Sequence, residues 1–155
     1  YTRVEAEHRL AMLRLALVGN PYFDVSLVDI ERPGPHYSAD MVALLHERAP
    51  DDDFYFLMGG DNLRDLPTWT RPEEVYHHTR LAVMRRSDED VSADMHGDTL
   101  PGLAERVDFV DTPLMSVWLS STQVIERLQA GRSLRYLVPD AVLDYIQQHN
   151  LYRDA

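Results

Sequence analysis

Two short apolar runs constrain this chain more than anything else in it. Phe54-Tyr-Phe-Leu-Met58 and Leu81-Ala-Val-Met84 are nearly free of polar residues and lie between helix-start signals. Runs this short are strands rather than buried helices. Their lack of alternation predicts burial on both faces, as in a parallel sheet. Val107 to Val110 and Met115 to Leu119 predict two further strands, and the looser alternation of Phe23 to Ile30 predicts another.

Helices are expected between them. Thr2-x-x-Glu5 has capping-box spacing, and Ala6, Leu10, Leu13 and Leu17 continue with helical period to about Val18. Gly19-Asn20-Pro21 ends that helix. Arg32-Pro-Gly-Pro35 is a rigid loop. Ser38 can cap a second helix with Asp40 in its first turn and Met41, Leu44 and Leu45 inward. Pro72 with Glu73 and Glu74 opens another. Pro139-Asp140 starts the last, with Val142, Tyr145, Ile146 and His149 inward. Strands alternating with helices predict an α/β fold: a doubly wound, Rossmann-like parallel sheet with helices on both faces. One domain spanning 1–155 is expected, since 155 residues bury about two thirds of the unfolded surface.

Charge and cysteine usage limit the partners. Asp plus Glu is 26 against 15 for Lys plus Arg, a net charge of −11. An acidic surface is a poor match for nucleic acid, which is bound by neutralising phosphates. A small anionic substrate in a locally positive pocket stays open. No apolar run approaches the roughly 18 residues of a membrane helix. The absence of cysteine fits a cytoplasmic protein. The chain opens on Tyr1 and runs straight into a helix signal, so its natural N-terminus is expected upstream.

In doubly wound sheets ligands bind beyond the carboxyl ends of the strands, which directs attention to the residues just after each run. Ser120-Ser-Thr122 comes after a predicted strand and opens a helix. A capping box from Ser120 to Gln123 accounts for one hydroxyl; three hydroxyls at a helix N-terminus also suit a phosphate. Gly59-Gly-Asp61 lets a ligand approach the backbone, with a carboxylate beyond for ribose hydroxyls. Trp69, in Pro-Thr-Trp-Thr-Arg-Pro, is either a loop anchor or a stacking platform. Ser38 is either a cap or, with Tyr37, part of a carboxylate site at a helix end. Arg85 and Arg86 are the basic candidates for a phosphate, or a solvated pair. His77 and His78 point apart on a helix and share no metal. Asp94-x-His96-x-Asp98 falls in Ser87 to Asp98, an acidic, pattern-free stretch read as a mobile loop, where chance composition explains it better than metal binding.

These features occur in a fixed order: Gly34-Pro-His-Tyr-Ser38, the Gly59 to Trp69 stretch, Ser120-Ser-Thr122, and Gly131-Arg-Ser-Leu-Arg-Tyr-Leu-Val-Pro-Asp140. The set resembles bacterial nicotinate-nucleotide adenylyltransferases of the nucleotidylyltransferase superfamily, from about Glu7 to Tyr152. The resemblance implies AMP transfer from ATP to nicotinic acid mononucleotide, giving deamido-NAD and pyrophosphate in NAD biosynthesis, with Mg²⁺ on the ATP phosphates. Trp69 would stack on the nicotinate ring, with Tyr37 and Ser38 by its carboxylate. Gly59 and Asp61 would line the nucleotide site, and Ser120, Ser121 and Thr122 would hold ATP phosphates; Arg86 is a candidate for the nucleotide site, though the family's Arg-Pro-Gly turn reads Arg86-Ser87 here. The family's N-terminal strand and His-x-Gly-His segment have no match, so no catalytic histidine is expected in this chain. The family's motif arginine position holds Ile125. Arg127 lies about 200° further round a helix and does not replace it, so Ile125→Arg is expected to strengthen ATP binding. Two other functions compete: a sister adenylyltransferase with another phosphorylated acceptor such as phosphopantetheine, and a non-catalytic nucleotide-binding remnant. A homo-oligomer is left open.

Overall fold

The computed structural model describes residues 4–85, 90–110 and 120–152. They fall into two compact units, one within 28–116 and one of the two chain ends, up to residue 27 and from residue 117.

The first unit is built on a parallel sheet. Strands β1 (Tyr55–Gly59), β2 (Arg80–Met84) and β3 (Val107–Val110) lie in that order, each parallel to the next. Register places Phe56 opposite Leu81 and Leu81 opposite Val107. Side chains alternate across a strand, so Phe56, Met58, Leu81, Val83, Val107 and Phe109 share one face. That face carries the core, where Leu63, Leu66, Val75 and Tyr76 pack on it. The covering residues come from α3 (Gly60–Asp65), the 3₁₀ turn Leu66–Thr68 and α4 (Pro72–His78). Helix α2 (Ser38–Arg48) packs on α4.

The other unit holds α1 (Ala6–Leu17), α5 (Ser121–Gln129) and α6 (Asp140–Gln148). Val4, Met12 and Leu15 pack against Val142, Ile146 and Leu151. Tyr145 and His149 stack, with ring centroids 4.2 Å apart, and His8 Nδ1 lies 3.0 Å from the Tyr145 hydroxyl.

The α/β architecture and parallel sheet are those the sequence predicts, and Gly19, at φ 84°, ends α1 as expected. Several details differ. Phe23 to Ile30 contributes no strand among the described residues. Its alternation meets a turn at 28–30 that Arg32 ties down through Asp29, and Val25 N–H donates to the Asp24 carboxylate instead of to a neighbouring strand. β1 is not buried on both faces: Tyr55 and Leu57 are 58% and 64% exposed. Helix α1 starts at Ala6 with Glu5 at the N-cap, so Glu5 is not the third residue of a capping box. The inward stripe of α1 is also displaced, with Leu13 exposed and Met12 and Leu15 packed. The acidic stretch is anchored where it is described: Val91 enters the core, and His96 Nε2–H donates to the Leu63 carbonyl at 2.9 Å. The expected strand at Met115 to Leu119 lies outside the described residues.

Leu81 is fully buried at the centre of the sheet. Leu81→Ala is expected to cost about 3 kcal/mol through lost transfer energy and a cavity in a closely packed site. Urea unfolding would show this as a lowered midpoint with an unchanged slope.

Candidate functional site

Parallel pairing brings the strand ends level: Gly59 is opposite Met84, and Met84 opposite Val110. The connections leaving the three strands therefore emerge along one edge. After β1 the chain turns at once into α3, with Gly59 as its N-cap. Asp61 sits exposed in the first turn, and its Oδ1 accepts from the Asn62 N–H at 2.9 Å. A β-carbon on Gly59 would collide with that same Oδ1. Glycine at this position thus leaves space for the carboxylate to fold back over the strand end.

Trp69 comes after the 3₁₀ turn and is half-buried. Its ring meets Phe56 edge-on, with centroids 6.0 Å apart and planes at 71°, and it packs on the core. Its backbone N–H donates to the Leu66 carbonyl at 3.0 Å. The anchoring role is therefore present. The ring is not enclosed, so part of it is available to a flat ligand.

Tyr37 and Ser38 lie at the start of α2. Tyr37 is the N-cap residue and makes no capping bond with its side chain; Ser38 is the first helical residue. Ser38 is therefore not the cap the sequence suggests. Arg32 braces this turn instead. Its guanidinium donates to the carbonyls of Pro35 at 3.0 Å and Tyr37 at 3.1 Å, and to the Asp29 carboxylate at 2.6 Å.

Asp40, in the first turn of α2, lies 3.5 Å from Arg32 and also pairs with Arg71. Arg71 stands two residues after Trp69, so one carboxylate joins the tryptophan loop to the helix that carries Tyr37 and Ser38. The Asp40 hydrogen bond, with its charge, raises the Arg71 pKa above the ordinary value, and the Tyr37 phenol contributes more weakly. Sequence reading missed Arg32 and Arg71. No local signal marks either, since their shared partner Asp40 lies 8 and 31 residues away.

Arg85 stacks over the Phe109 ring at 4.1 Å. Arg86 lies outside the described residues. The Asp94, His96 and Asp98 combination forms no cation site, and no group of three or more His, Asp or Glu side chains among the described residues is placed to hold a metal.

In the other unit, α5 begins as the sequence predicts. Ser120 is the N-cap: its hydroxyl accepts from the Gln123 N–H at 3.2 Å, and Gln123 Oε1 accepts from the Ser120 N–H at 3.1 Å. Ser121 and Thr122 stay exposed in the first turn, where backbone N–H groups have no partner within the helix. Ile125 is 4% exposed. Arg127 is committed elsewhere, donating to the Ser133 carbonyl at 3.0 Å.

Burial of Ile125 reverses the expectation for its replacement. Ile125→Arg would place a charge where there is no water to solvate it, and is expected to lower the melting temperature rather than strengthen ATP binding. Ser120→Ala, by contrast, is expected to cost only about 1 kcal/mol through loss of the cap. Thermal unfolding of both variants checks this order; an Ile125→Arg protein as stable as the parent would contradict it.

Residues 2–127 match the cytidylyltransferase-like family model. A probable nicotinate-nucleotide adenylyltransferase of Thermomicrobium roseum is 42% identical over 146 residues, which cover 94% of this chain and 67% of that protein. A Roseiflexus protein with the same description is 39% identical, with 95% and 72% covered. The fold is also that of Plasmodium falciparum nicotinic acid mononucleotide adenylyltransferase. Its complex with NaAD superposes with a TM-score of 0.72 at 20% identity, covering 98% of this chain and 76% of that one, and its complex with APC with a TM-score of 0.70. With its motifs in order and its strand ends aligned on one edge, the chain belongs to the cytidylyltransferase-like family, among the nicotinate-nucleotide adenylyltransferases.

Proposed function

We propose that this chain transfers the AMP group of ATP to nicotinic acid mononucleotide, giving deamido-NAD and pyrophosphate. The observation that carries this reading is the tie between the Trp69 loop and the start of α2 through Asp40. A flat half-exposed ring and a helix N-terminus are the two surfaces that an aromatic carboxylate needs. The family membership selects nicotinate among such ligands.

In this reading the nicotinate ring stacks on Trp69 and its carboxylate meets Tyr37 and Ser38 at the positive end of α2. Asp61 accepts ribose hydroxyls, and Gly59 lets the nucleotide approach the strand end. Arg86 is assigned to the same nucleotide site. Ser120 keeps its capping role, and with Ser121 and Thr122 it offers the ATP phosphates hydroxyls and backbone N–H groups. The mononucleotide phosphate oxygen attacks the α-phosphorus of ATP in line. A new P–O bond forms, the bond to the β-phosphate bridging oxygen breaks, and pyrophosphate leaves with the electron pair. No covalent enzyme intermediate forms, so the chain's residues act by positioning and by stabilising charge.

Mg²⁺ fits this scheme when it is carried by the ATP phosphates, as hard dications commonly are, and there it neutralises their charge. The protein itself assembles no cage for it among the described residues. No described helix is long and apolar enough to cross a membrane. We place the chain in the cytoplasm, which its lack of cysteine fits.

Incubation with ATP and a panel of acceptors, with pyrophosphate release as the readout, tests the assignment. Nicotinic acid mononucleotide is expected to be the preferred acceptor over phosphopantetheine and nicotinamide mononucleotide; preference for either of the others, or mononucleotide binding with no turnover, would overturn it. Trp69→Ala is expected to weaken mononucleotide binding about tenfold, a loss within the range of an aromatic stack plus its buried area. Calorimetric titration measures this directly.

A further inference from the structure

We infer that Arg71 is a positioning residue: its ion pair with Asp40 sets the spacing between the Trp69 loop and the start of α2. The inference rests on the mononucleotide reading above and goes beyond it, because neither Arg71 nor Asp40 is among the residues assigned to contact a substrate.

The first observation is topological. Asp40 and Arg71 lie 31 residues apart, and each adjoins one half of the proposed pocket. Asp40 comes just after Tyr37 and Ser38 on α2. Arg71 comes just after Trp69 and is the N-cap residue of α4. Asp40 is also held by Arg32, which in turn braces the Pro35 and Tyr37 carbonyls. A continuous chain of charged hydrogen bonds therefore runs from the tryptophan loop to the backbone entering α2.

The second observation is conformational and independent of the first. Arg71 has φ 53° and ψ 58°, the left-handed region. A side chain there is strained in a way that glycine avoids. The next residue is Pro72, which further restricts the backbone of the residue before it. A turn needing only this shape would be served by glycine or asparagine. An arginine held there is accounted for by what its side chain reaches. Backbone strain of this kind collects at functional loops and points to a role for the strained residue.

The third observation concerns magnitude. The two side chains are 53% and 33% exposed. An ion pair so open to solvent contributes little to folding. Its main effect is to restrict the loop, which lowers the ordering cost when a ligand bridges ring and helix end. Removing it is therefore expected to change affinity while leaving stability nearly unchanged.

The test is a double-variant cycle on the whole chain: Arg71→Gln, Asp40→Asn and both together, with Arg71→Gly alongside. Each is titrated calorimetrically with nicotinic acid mononucleotide and separately with ATP, and melting temperatures are recorded. Each single variant is expected to weaken mononucleotide binding about fivefold, the double no further than either alone, since coupled residues are not additive. ATP affinity and melting temperature should barely move. Arg71→Gly, which keeps the turn and relieves its strain, is expected to lose affinity like Arg71→Gln. Retained affinity in Arg71→Gly would show that only the turn matters and would overturn the inference. So would loss in Arg71→Gln with none in Asp40→Asn, which would make Arg71 a direct ligand contact. A parent chain that fails to bind the mononucleotide would sink both readings; parent binding with unaltered variants would sink this one alone.

Discussion

The alignment of the strand ends is the constraint on which the site in the sheet-bearing unit depends. In a parallel sheet the chain must leave every strand at the same edge, and here Gly59, Met84 and Val110 stand in one row. The turn after β1 then has to be tight, because α3 begins with Gly60 and its Leu63 is buried in the core. Asp61 then folds back over the strand end, into the space a β-carbon on Gly59 would take. One backbone arrangement thus fixes a carboxylate, an open approach and the start of the loop that carries Trp69.

Trp69 and α2 have no such backbone relation to each other. They are separated in sequence, and their spacing is set by side chains. Phe56 fixes the tryptophan ring from the sheet side, while Asp40, shared between Arg32 and Arg71, fixes the helix start from the other. The acidic character of the chain gives this local arrangement its meaning. On a surface of net charge −11, Arg32 and Arg71 are matched by Asp29 and Asp40, so the cluster beside the start of α2 is locally neutral rather than acidic. Asp29 and Asp40 hold those two guanidiniums in place and keep the cluster from repelling itself.

How much of this was legible in the sequence depends on the range of the interactions. Local rules predicted the capping box of α5, the proline start of α4, the stop at Gly19 and all three described strands almost residue for residue, because each rests on chemistry within one turn or one run. The misses are tertiary. The phase of the α1 stripe was set by α6, which chose Met12 and Leu15 over Leu13. The acidic stretch resembled a solvated loop because its ties are Val91 and His96, and one of them runs to a carbonyl 33 residues away. Phe23 to Ile30 had the alternation of a strand, but alternation does not supply a partner. In the sheet-bearing unit, Trp69 and Asp61 were legible as residue types in context, and in the other unit so was Ser120 as a helix cap. Arg32 and Arg71 were not, since nothing local shows which carboxylate an arginine will find.

Helix α5 shows how far one position can depart from a family's pattern without disturbing its neighbours. Ile125 points inward and is buried, so its identity is decided by packing. Arg127, the arginine on this helix, spans the turn to Ser133 and holds the connection toward α6. Neither residue can serve the exposed first turn. An anion seated on Ser120, Ser121 and Thr122 would therefore be met by neutral donors and the helix dipole alone, a weaker field than one containing a guanidinium. Any further positive charge for ATP phosphates has to come from another element or from a cation that arrives with the nucleotide.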